Sequence, residues 1–184
     1  MNEIERTMRA GPHTVVYLSE FESPLGRLRA GATGEGVIFL DFLDHPGAAE
    51  RLERRAERYR YEYREGGNEH TSKLEAELAS YFRGELEEFE TPLAPEGTDF
   101  QHEVWRALCA IPHSETRSYA DLARSVGRPT AYRAVAQANA RNPIPIVVPC
   151  HRVISADGKL GGYSSGLERK VWLLGHENTR KGVG

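Results

Sequence analysis

The sequence is poor in cysteine and has no long apolar run. Only two of its 184 residues are cysteines, Cys109 and Cys150, which is too few for a disulfide framework and favours a reducing cytoplasm. No run approaches the roughly 20 apolar residues that a membrane helix needs, so we expect no membrane partner. The polar residues 1–10 include Glu3 and Glu5 and are untypical of a secretory signal.

The sequence also lacks clustered metal ligands. No group of cysteines and histidines has the spacing of a structural zinc site. We therefore expect neither a metal nor another cofactor. No motif surrounds Cys109, and we expect it to be a buried thiol.

A basic excess is absent from the whole chain but present in its second half. The net charge is −3, yet residues 97–184 hold 12 Lys and Arg against 7 Asp and Glu. Residues 1–96 hold the remaining 12 basic and 20 acidic residues. Only the second half has the net positive charge that attracts phosphate. Two domains with unlike surfaces and no nucleic acid would divide in the same way, so charge alone leaves the partner open.

The first half predicts strands followed by helices. β-Branched and aromatic residues at Thr14–Phe21 predict a strand, and the segments 28–32 and 36–42 flank a glycine turn typical of a hairpin. Apolar residues at helical spacing predict helices over residues 46–64 and 71–82.

Two prolines and a glycine at residues 91–97 predict a linker. Beyond it, Thr98 with Gln101 and Ser118 with Asp121 have the spacing of capping boxes that open helices. A further helix is predicted over residues 129–141. Two short helices joined by a glycine-containing turn are typical of a helix-turn-helix. In the last helix the predicted inner face consists of Leu167, Val171 and Leu174.

The predicted helix over residues 129–141 is rich in alanine. Alanine suits a helix packed closely against the core. It also suits a slim helix that enters a minor groove about 6 Å wide. The stretch alone does not decide between them. The alanines are Ala131, Ala134, Ala136, Ala138 and Ala140.

Cys150 lies in a segment, residues 142–153, that is rich in proline and β-branched residues. Such residues favour stiff, extended backbone. A thiolate is the nucleophilic form of cysteine, and a neighbouring His151 or Arg152 lowers a thiol pKa. A cysteine–histidine pair by itself is more often a buried thiol beside a surface histidine, so the pair leaves catalysis open.

The string Pro-Cys-His-Arg-Val at residues 149–153 resembles the active-site motif of the O6-alkylguanine-DNA alkyltransferases, or methylated-DNA–protein-cysteine methyltransferases. Further motifs follow in the family's order and spacing across about residues 99–178. These motifs are Phe100-Gln101, Val104-Trp105, Leu108, Ser118-Tyr119, Arg133-Ala134-Val135, Asn142-Pro143, Gly161-Gly162-Tyr163-Ser164 and Leu173-Leu174-Gly175-His176-Glu177.

The resemblance implies an α/β (α+β) fold of two domains. Residues 1–95 would form a small ribonuclease-H-like structural domain. Residues 96–184 would form a winged helix-turn-helix domain with the active-site cysteine, and Asp157-Gly158 would be the turn of the wing.

It also implies catalytic roles for individual residues. Cys150 would accept the alkyl group. His151 would act as its general base through a water, and Glu177 would orient His151, as in a nucleophile–base–carboxylate triad. Tyr119 would donate a proton to the leaving guanine, and Asn142 would brace the turn before Cys150.

Other residues would contact DNA or the damaged base. Arg133 would fill the gap that the flipped base leaves, Tyr163 and Ser164 would line the guanine pocket, and Val153 would hold the base through its backbone. The full DNA-binding and base-binding set is Arg133, Ala134, Arg152, Val153, Tyr163 and Ser164. Tyr132 departs from the family, where a smaller residue is common.

The implied function is direct DNA repair. A methyl or larger alkyl group would pass irreversibly from O6-alkylguanine to Cys150 in a single turnover, with O4-alkylthymine as a second candidate lesion. The partner would be alkylated double-stranded DNA, bound by a monomer through the minor groove. Alternatives are a lesion sensor without catalysis, a Cys-His-Glu hydrolase and a transcription regulator.

Overall fold

The computed structural model describes residues 13–178 and confirms the predicted α/β class. The described residues form a four-stranded sheet, a two-stranded sheet, six α-helices and one 3₁₀ turn. No helix among them is long and apolar enough to cross a bilayer.

The first sheet has the strand order β3-β2-β1-β4. Strands β1 (Thr14–Phe21), β2 (Leu28–Ala32) and β3 (Val37–Phe42) are antiparallel neighbours, as the predicted strand and hairpin require. Strand β4 (Tyr61–Glu65) pairs parallel with β1. At the hairpin Gly36 has a φ of 153°, and a Cβ there would lie 2.5 Å from a backbone oxygen, so the turn requires glycine.

The predicted helix over residues 46–64 is wrong at its end. Helix α1 spans Ala48–Tyr59, and Arg60 then takes a left-handed conformation with φ of 58°. This reversal lays β4 beside β1. The signal was the alternation of Tyr61 and Tyr63 with charged residues, which is the period of a strand, and the dense charge before it obscured that period.

The second half contains the predicted helix-turn-helix. Both predicted capping boxes are present, since Thr98 accepts from the backbone of Gln101 and Ser118 from that of Asp121. Helix α2 (Glu69–Phe82) is the last element of the first half. The elements of the second half are α3 (Asp99–Cys109), β5 (Arg117–Ser118), α4 (Tyr119–Ser125), α5 (Tyr132–Ala140), the 3₁₀ turn (Cys150–Arg152), β6 (Val153–Ile154) and α6 (Leu167–Asn178).

The segment between α5 and Cys150 is not the extended strand that its composition predicted. Residues 143–148 form bends around a turn at residues 145–147, and the amide of Val148 donates to the carbonyl of Ile144 at 3.0 Å. Ile146 has a φ of 74°, which is rare for a β-branched residue. A buried residue keeps such strain only where its surroundings fix it, so the packing holds this segment in one conformation.

The two halves share one hydrophobic core. Buried residues of the first sheet and of α2 pack with those of α3, α5 and α6 in a single cluster. Polar contacts also cross between the halves: the Leu40 amide donates to the Pro143 carbonyl at 2.9 Å, and Arg169 binds Asp44 at 2.6 Å. The predicted boundary near residue 95 stays a prediction.

Two burial predictions are wrong. Cys109 is exposed, because it follows Leu108 by one position and so lies about 100° around α3 from the buried stripe. Leu167 and Val171 are also exposed, and the inner face of α6 instead carries Lys170, Leu173 and Glu177. The apolar pattern predicted the wrong inner face for α6, because the buried polar residues Lys170 and Glu177 are hydrogen-bonded in the protein interior.

Candidate active site

Cys150 opens the 3₁₀ turn and is buried. Its Sγ accepts a hydrogen bond of 3.0 Å from Asn142 Nδ2, which also donates to the Val148 carbonyl at 2.8 Å. Asn142 Oδ1 accepts from the Ile144 amide at 3.0 Å. One amide side chain thus ties together both ends of the strained segment and the sulfur.

Burial raises the pKa of the Cys150 thiol above its ordinary value of 9.0. Asn142, Tyr163 and Lys170 oppose this rise but do not cancel it. The resting thiol is therefore protonated at neutral pH, and a base must remove the proton before the sulfur attacks.

His151 is fully buried, and its Nε2 lies 2.8 Å from Glu177 Oε1. Burial lowers the pKa of His151 below 6.5, against the opposing effect of Glu177, so the ring is neutral at pH 7. Its Nδ1 is buried and has no hydrogen-bond partner among residues 13–178. A neutral ring with Nε2–H bound to the carboxylate leaves Nδ1 as the acceptor, which is the form that a base requires.

Glu177 is the centre of a buried polar network. Its Oε1 accepts from Tyr81 Oη at 2.9 Å and from Arg152 at 2.9 Å, and its Oε2 accepts from Arg152 Nε at 2.9 Å and the Ser114 amide at 3.3 Å. Burial alone would raise the pKa of Glu177, but the bonds from His151 and Arg152 hold it well below its ordinary range. Glu177 is therefore a carboxylate at all ordinary pH values.

Arg152 does not lie where the resemblance placed it. Its guanidinium is buried and binds both carboxylate oxygens of Glu177, and it donates to the Ile111 carbonyl at 2.7 Å. A side chain committed to these acceptors does not reach out to DNA. We assign it to the Glu177 network instead.

Two tyrosines interact with Cys150, and a glycine lies against one of them. The Tyr163 hydroxyl is buried, and burial first, then its interaction with Cys150, raises its pKa well above the ordinary value. Burial and Cys150 also raise the pKa of Tyr119, so Tyr119 keeps a proton to donate. A Cβ at Gly161, where φ is 65°, would lie 3.6 Å from the Tyr119 hydroxyl, and glycine leaves this space open.

Lys170 is a functional candidate that the sequence analysis missed. It is fully buried, and its Nζ donates to the Val153 carbonyl at 2.6 Å and to the carbonyls of Leu160 and Gly162. It thereby fixes the glycine-containing loop against β6. Its spacing of three and seven residues from Leu173 and Glu177 was the available signal. The Val153 carbonyl keeps a second lone pair for a base.

The outer face of helix α5 combines large and small residues. Tyr132, Arg133 and Ala134 are exposed, while Val135 and Ala138 are buried. The Arg133 guanidinium lies 5.8 Å from the Tyr132 ring centroid. The alanines thus fit both interpretations of this helix. Some pack against the core, and others leave parts of the outer face slim enough for a groove. Ser164 is likewise exposed.

Within residues 13–178 no three histidines, cysteines or acidic residues are grouped to hold a metal ion.

Two family descriptions match the chain: the ribonuclease-like domain of 6-O-methylguanine DNA methyltransferase over residues 16–95, and its DNA binding domain over residues 99–179. A Methanosarcina barkeri methylated-DNA–protein-cysteine methyltransferase is 49% identical over 159 residues, which are 86% of this chain and 95% of the relative. The chain belongs to the methylated-DNA–protein-cysteine methyltransferase family. The predicted resemblance is confirmed, and it extends to the first half.

Solved structures of this methyltransferase family are similar throughout. The Mycobacterium tuberculosis O6-methylguanine methyltransferase has a TM-score of 0.78 and 41% identity, covering 92% of this chain and 96% of its own. The M. tuberculosis OGT in complex with DNA has a TM-score of 0.77 and 42% identity, covering 90% and 94%. A Pyrococcus kodakaraensis methyltransferase has a TM-score of 0.64 and 28% identity, covering 89% and 99%.

Proposed function

We propose that this protein repairs DNA directly, by moving an alkyl group from O6 of guanine to Cys150 and keeping it. One arrangement carries the proposal: a buried thiol held by Asn142, next in sequence to a neutral histidine bound to the Glu177 carboxylate. Family membership supports the same reaction.

In the proposed reaction the Cys150 proton passes through a water to His151 Nδ1. The thiolate then attacks the alkyl carbon at O6, a C–S bond forms, and the C–O bond breaks with its electron pair on the guanine. Tyr119 gives the guanine a proton and becomes negatively charged. His151 has gained the proton of Cys150, so the net charge of the site is unchanged. Glu177 stabilises the imidazolium, as carboxylates do in triads. Nothing is oxidised or reduced.

The lesion would reach Cys150 by base flipping. A buried sulfur has no access to a stacked base, so the nucleotide must leave the duplex at a cost of a few kcal/mol. Arg133 and Ala134 on the exposed face of α5 would occupy the minor groove and the emptied stack. Tyr163, Ser164 and the Val153 carbonyl would hold the flipped base.

The proposal extends to the setting of the reaction. Every proposed catalytic side chain comes from one chain, which supports action as a monomer on alkylated duplex DNA. Cys150 must stay a free thiol, which supports a reducing compartment such as the cytoplasm. The first domain, with its boundary near residue 95, would stabilise the Glu177 network through Tyr81.

A titration distinguishes this function from the hydrolase alternative. The product on Cys150 is a thioether with a saturated, unactivated carbon, so water should not remove it. With excess methylated duplex, repaired guanines should plateau at one per protein, and mass spectrometry should find one methyl on Cys150. Cys150→Ser should bind the duplex without accepting the methyl. Product beyond one equivalent would support a hydrolase, and binding without any transfer by the native protein would support a sensor.

A further inference from the structure

A cleft of about 640 Å³ opens between the first sheet and the segment that leads to Cys150. Strand β3 and helix α1 form its wall on one side. Arg141, Pro145 and Ser164 belong to its other wall. The cleft therefore joins the first domain to the mouth of the proposed base pocket, since Ser164 contributes to both.

Helix α1 carries four arginines on the side of this cleft. Two adjacent arginines lie three and four residues after the first and before the last, so the four share one side of the helix over about 10 Å. Three of them line the cleft, and all four line a shallower depression beside it, with Glu57 the acidic residue there. This arginine stripe consists of Arg51, Arg54, Arg55 and Arg58.

The acidic residues of the cleft neutralise only part of this charge. Asp41 pairs with both Arg51, at 3.5 Å, and Arg55. Glu96 accepts a hydrogen bond from Tyr61. The outer arginines, Arg54 and Arg58, are exposed and make no ion pair with any residue that the structure describes. The stripe thus has surplus positive charge at its outer edge.

Arg141 faces the cleft from the second domain. It caps the C-terminal end of α5, the helix proposed to enter the minor groove. It is exposed and has no ion-pair partner between residues 13 and 178. A cation at this point connects the surface of α5 with the arginine stripe.

We infer that the arginine stripe and Arg141 bind the phosphate backbone of the duplex that α5 engages, so that the first domain is a second DNA-contacting surface. The inference rests on the proposed function, because α5 must bring the duplex to this edge. Arginine suits the task, since its planar guanidinium binds phosphate oxygens in pairs. The acidic balance of residues 1–96 concealed this local patch from the sequence analysis.

The test is a double variant, Arg54→Ala with Arg58→Ala. Its matched control is Arg64→Ala with Arg83→Ala, two exposed arginines of the same half that line neither depression and pair with Glu62 and Glu85. The stripe variant should bind methylated and unmethylated duplex several-fold more weakly at low salt. Its plot of log affinity against log salt should be shallower by about 1 to 2, since each lost phosphate contact removes about 0.9. The control should match the native protein.

Reaction with a free O6-alkylguanine base should be unchanged in both variants, which shows that the fold and site are intact. If the native protein repairs duplex DNA and the stripe variant binds it with the native affinity and salt slope, the inference is wrong. The proposed function would still stand. A native protein that neither binds duplex nor gains a methyl would instead overturn the function. A variant that loses only cooperativity on long duplexes would show that the stripe contacts a second copy, which also overturns the inference.

Discussion

The Tyr81 hydroxyl, on helix α2 of the first half, donates a 2.9 Å hydrogen bond to Glu177 Oε1, the atom that binds His151 Nε2. Tyr81 is fully buried, and its main-chain carbonyl lies 2.8 Å from His176 Nε2. The first domain therefore reaches the carboxylate that orients the proposed base. Neither contact follows from sequence spacing, because the partners are 96 and 95 positions apart in the sequence.

Tyr81→Phe should slow alkyl transfer several-fold with little change in DNA affinity. The change removes one donor from the carboxylate and keeps the ring, and a hydrogen bond to a charged group is worth about 1.5–3 kcal/mol. With one donor fewer, the Glu177 carboxylate favours protonated His151 more strongly and raises the pKa of that base, so the acid limb of the rate profile should move to higher pH. Single-turnover rates across pH check this.

The matched control for Tyr81→Phe is Tyr63→Phe. It removes a hydroxyl of the same half that donates to the Leu52 carbonyl at 3.0 Å, with no contact to the Glu177 network. The control should transfer at the native rate and with the native pH profile. Equal slowing of both variants would mean that Tyr81 acts through general stability and not on Glu177.

Glu177→Gln should slow transfer and also destabilise the protein, by about 3–5 kcal/mol. The destabilisation is expected because Arg152 is buried against both carboxylate oxygens and would become an uncompensated charge. Urea unfolding measures the loss. A variant of native stability would show that the Arg152 ion pair contributes nothing to folding.

Stability should fall towards acid in two steps. The pKa values of His151 and Glu177 are lower in the folded protein than their ordinary 6.5 and 4.5. Below each ordinary value the unfolded chain binds more protons than the folded one, so acid favours unfolding. The free energy of unfolding should therefore decline below pH 6.5 and again below pH 4.5. A constant value from pH 7 to pH 5 would contradict the assigned neutral, buried His151.

At alkaline pH the free energy of unfolding should change in the opposite direction, falling as the pH rises. Burial raises the pKa of Cys150 above 9.0, so the unfolded chain loses a proton first and stability falls as pH rises above 9.0. Cys150→Ser supplies the control, because it should keep the acid limb and lack this part of the alkaline one.

Local patterns predicted much of the fold, and long-range contacts supplied the rest. β-Branched and aromatic residues located β1, and capping boxes located α3 and α4, since these signals lie within a few residues of each other. Strand β4 was missed because its pairing with β1 joins residues far apart in sequence.

The residues of the proposed site were likewise predicted only in part from the sequence. The family motif supplied Cys150, His151 and Glu177, and these three residues lie in one buried region. It did not supply Tyr81 or Lys170, because a buried polar residue is recognised by its partners and not by its neighbours in sequence.

Arg133→Ala should impair repair of duplex DNA far more than reaction with a free O6-alkylguanine base. The side chain is exposed on α5 and has no part in the proposed alkyl transfer, so it should matter only where a base must leave a stack. Filling the emptied stack offsets a cost of a few kcal/mol, and we expect a loss of at least tenfold on duplex. Parallel rate measurements on both substrates decide it, and equal losses would remove Arg133 from base flipping. Arg124→Ala, on α4 and paired with Asp121, is the matched control.

Methylation of Cys150 should destabilise the protein that carries it. The sulfur is buried, it accepts from Asn142 at 3.0 Å, and the Tyr163 hydroxyl beside it is buried as well. An added methyl in such packing costs about 1–3 kcal/mol, and each kcal/mol lowers the Tm of a protein this size by about 2–4 °C. The measurement is calorimetry of the methylated protein after removal of the DNA, with the methyl located on Cys150 by mass spectrometry. Cys150→Ser carried through the same incubation should keep its own Tm, which separates alkylation from handling. A methylated protein as stable as the native one would show that the pocket already has room for the methyl, and the contacts of Asn142 and Tyr163 would then not form a tight enclosure around the sulfur.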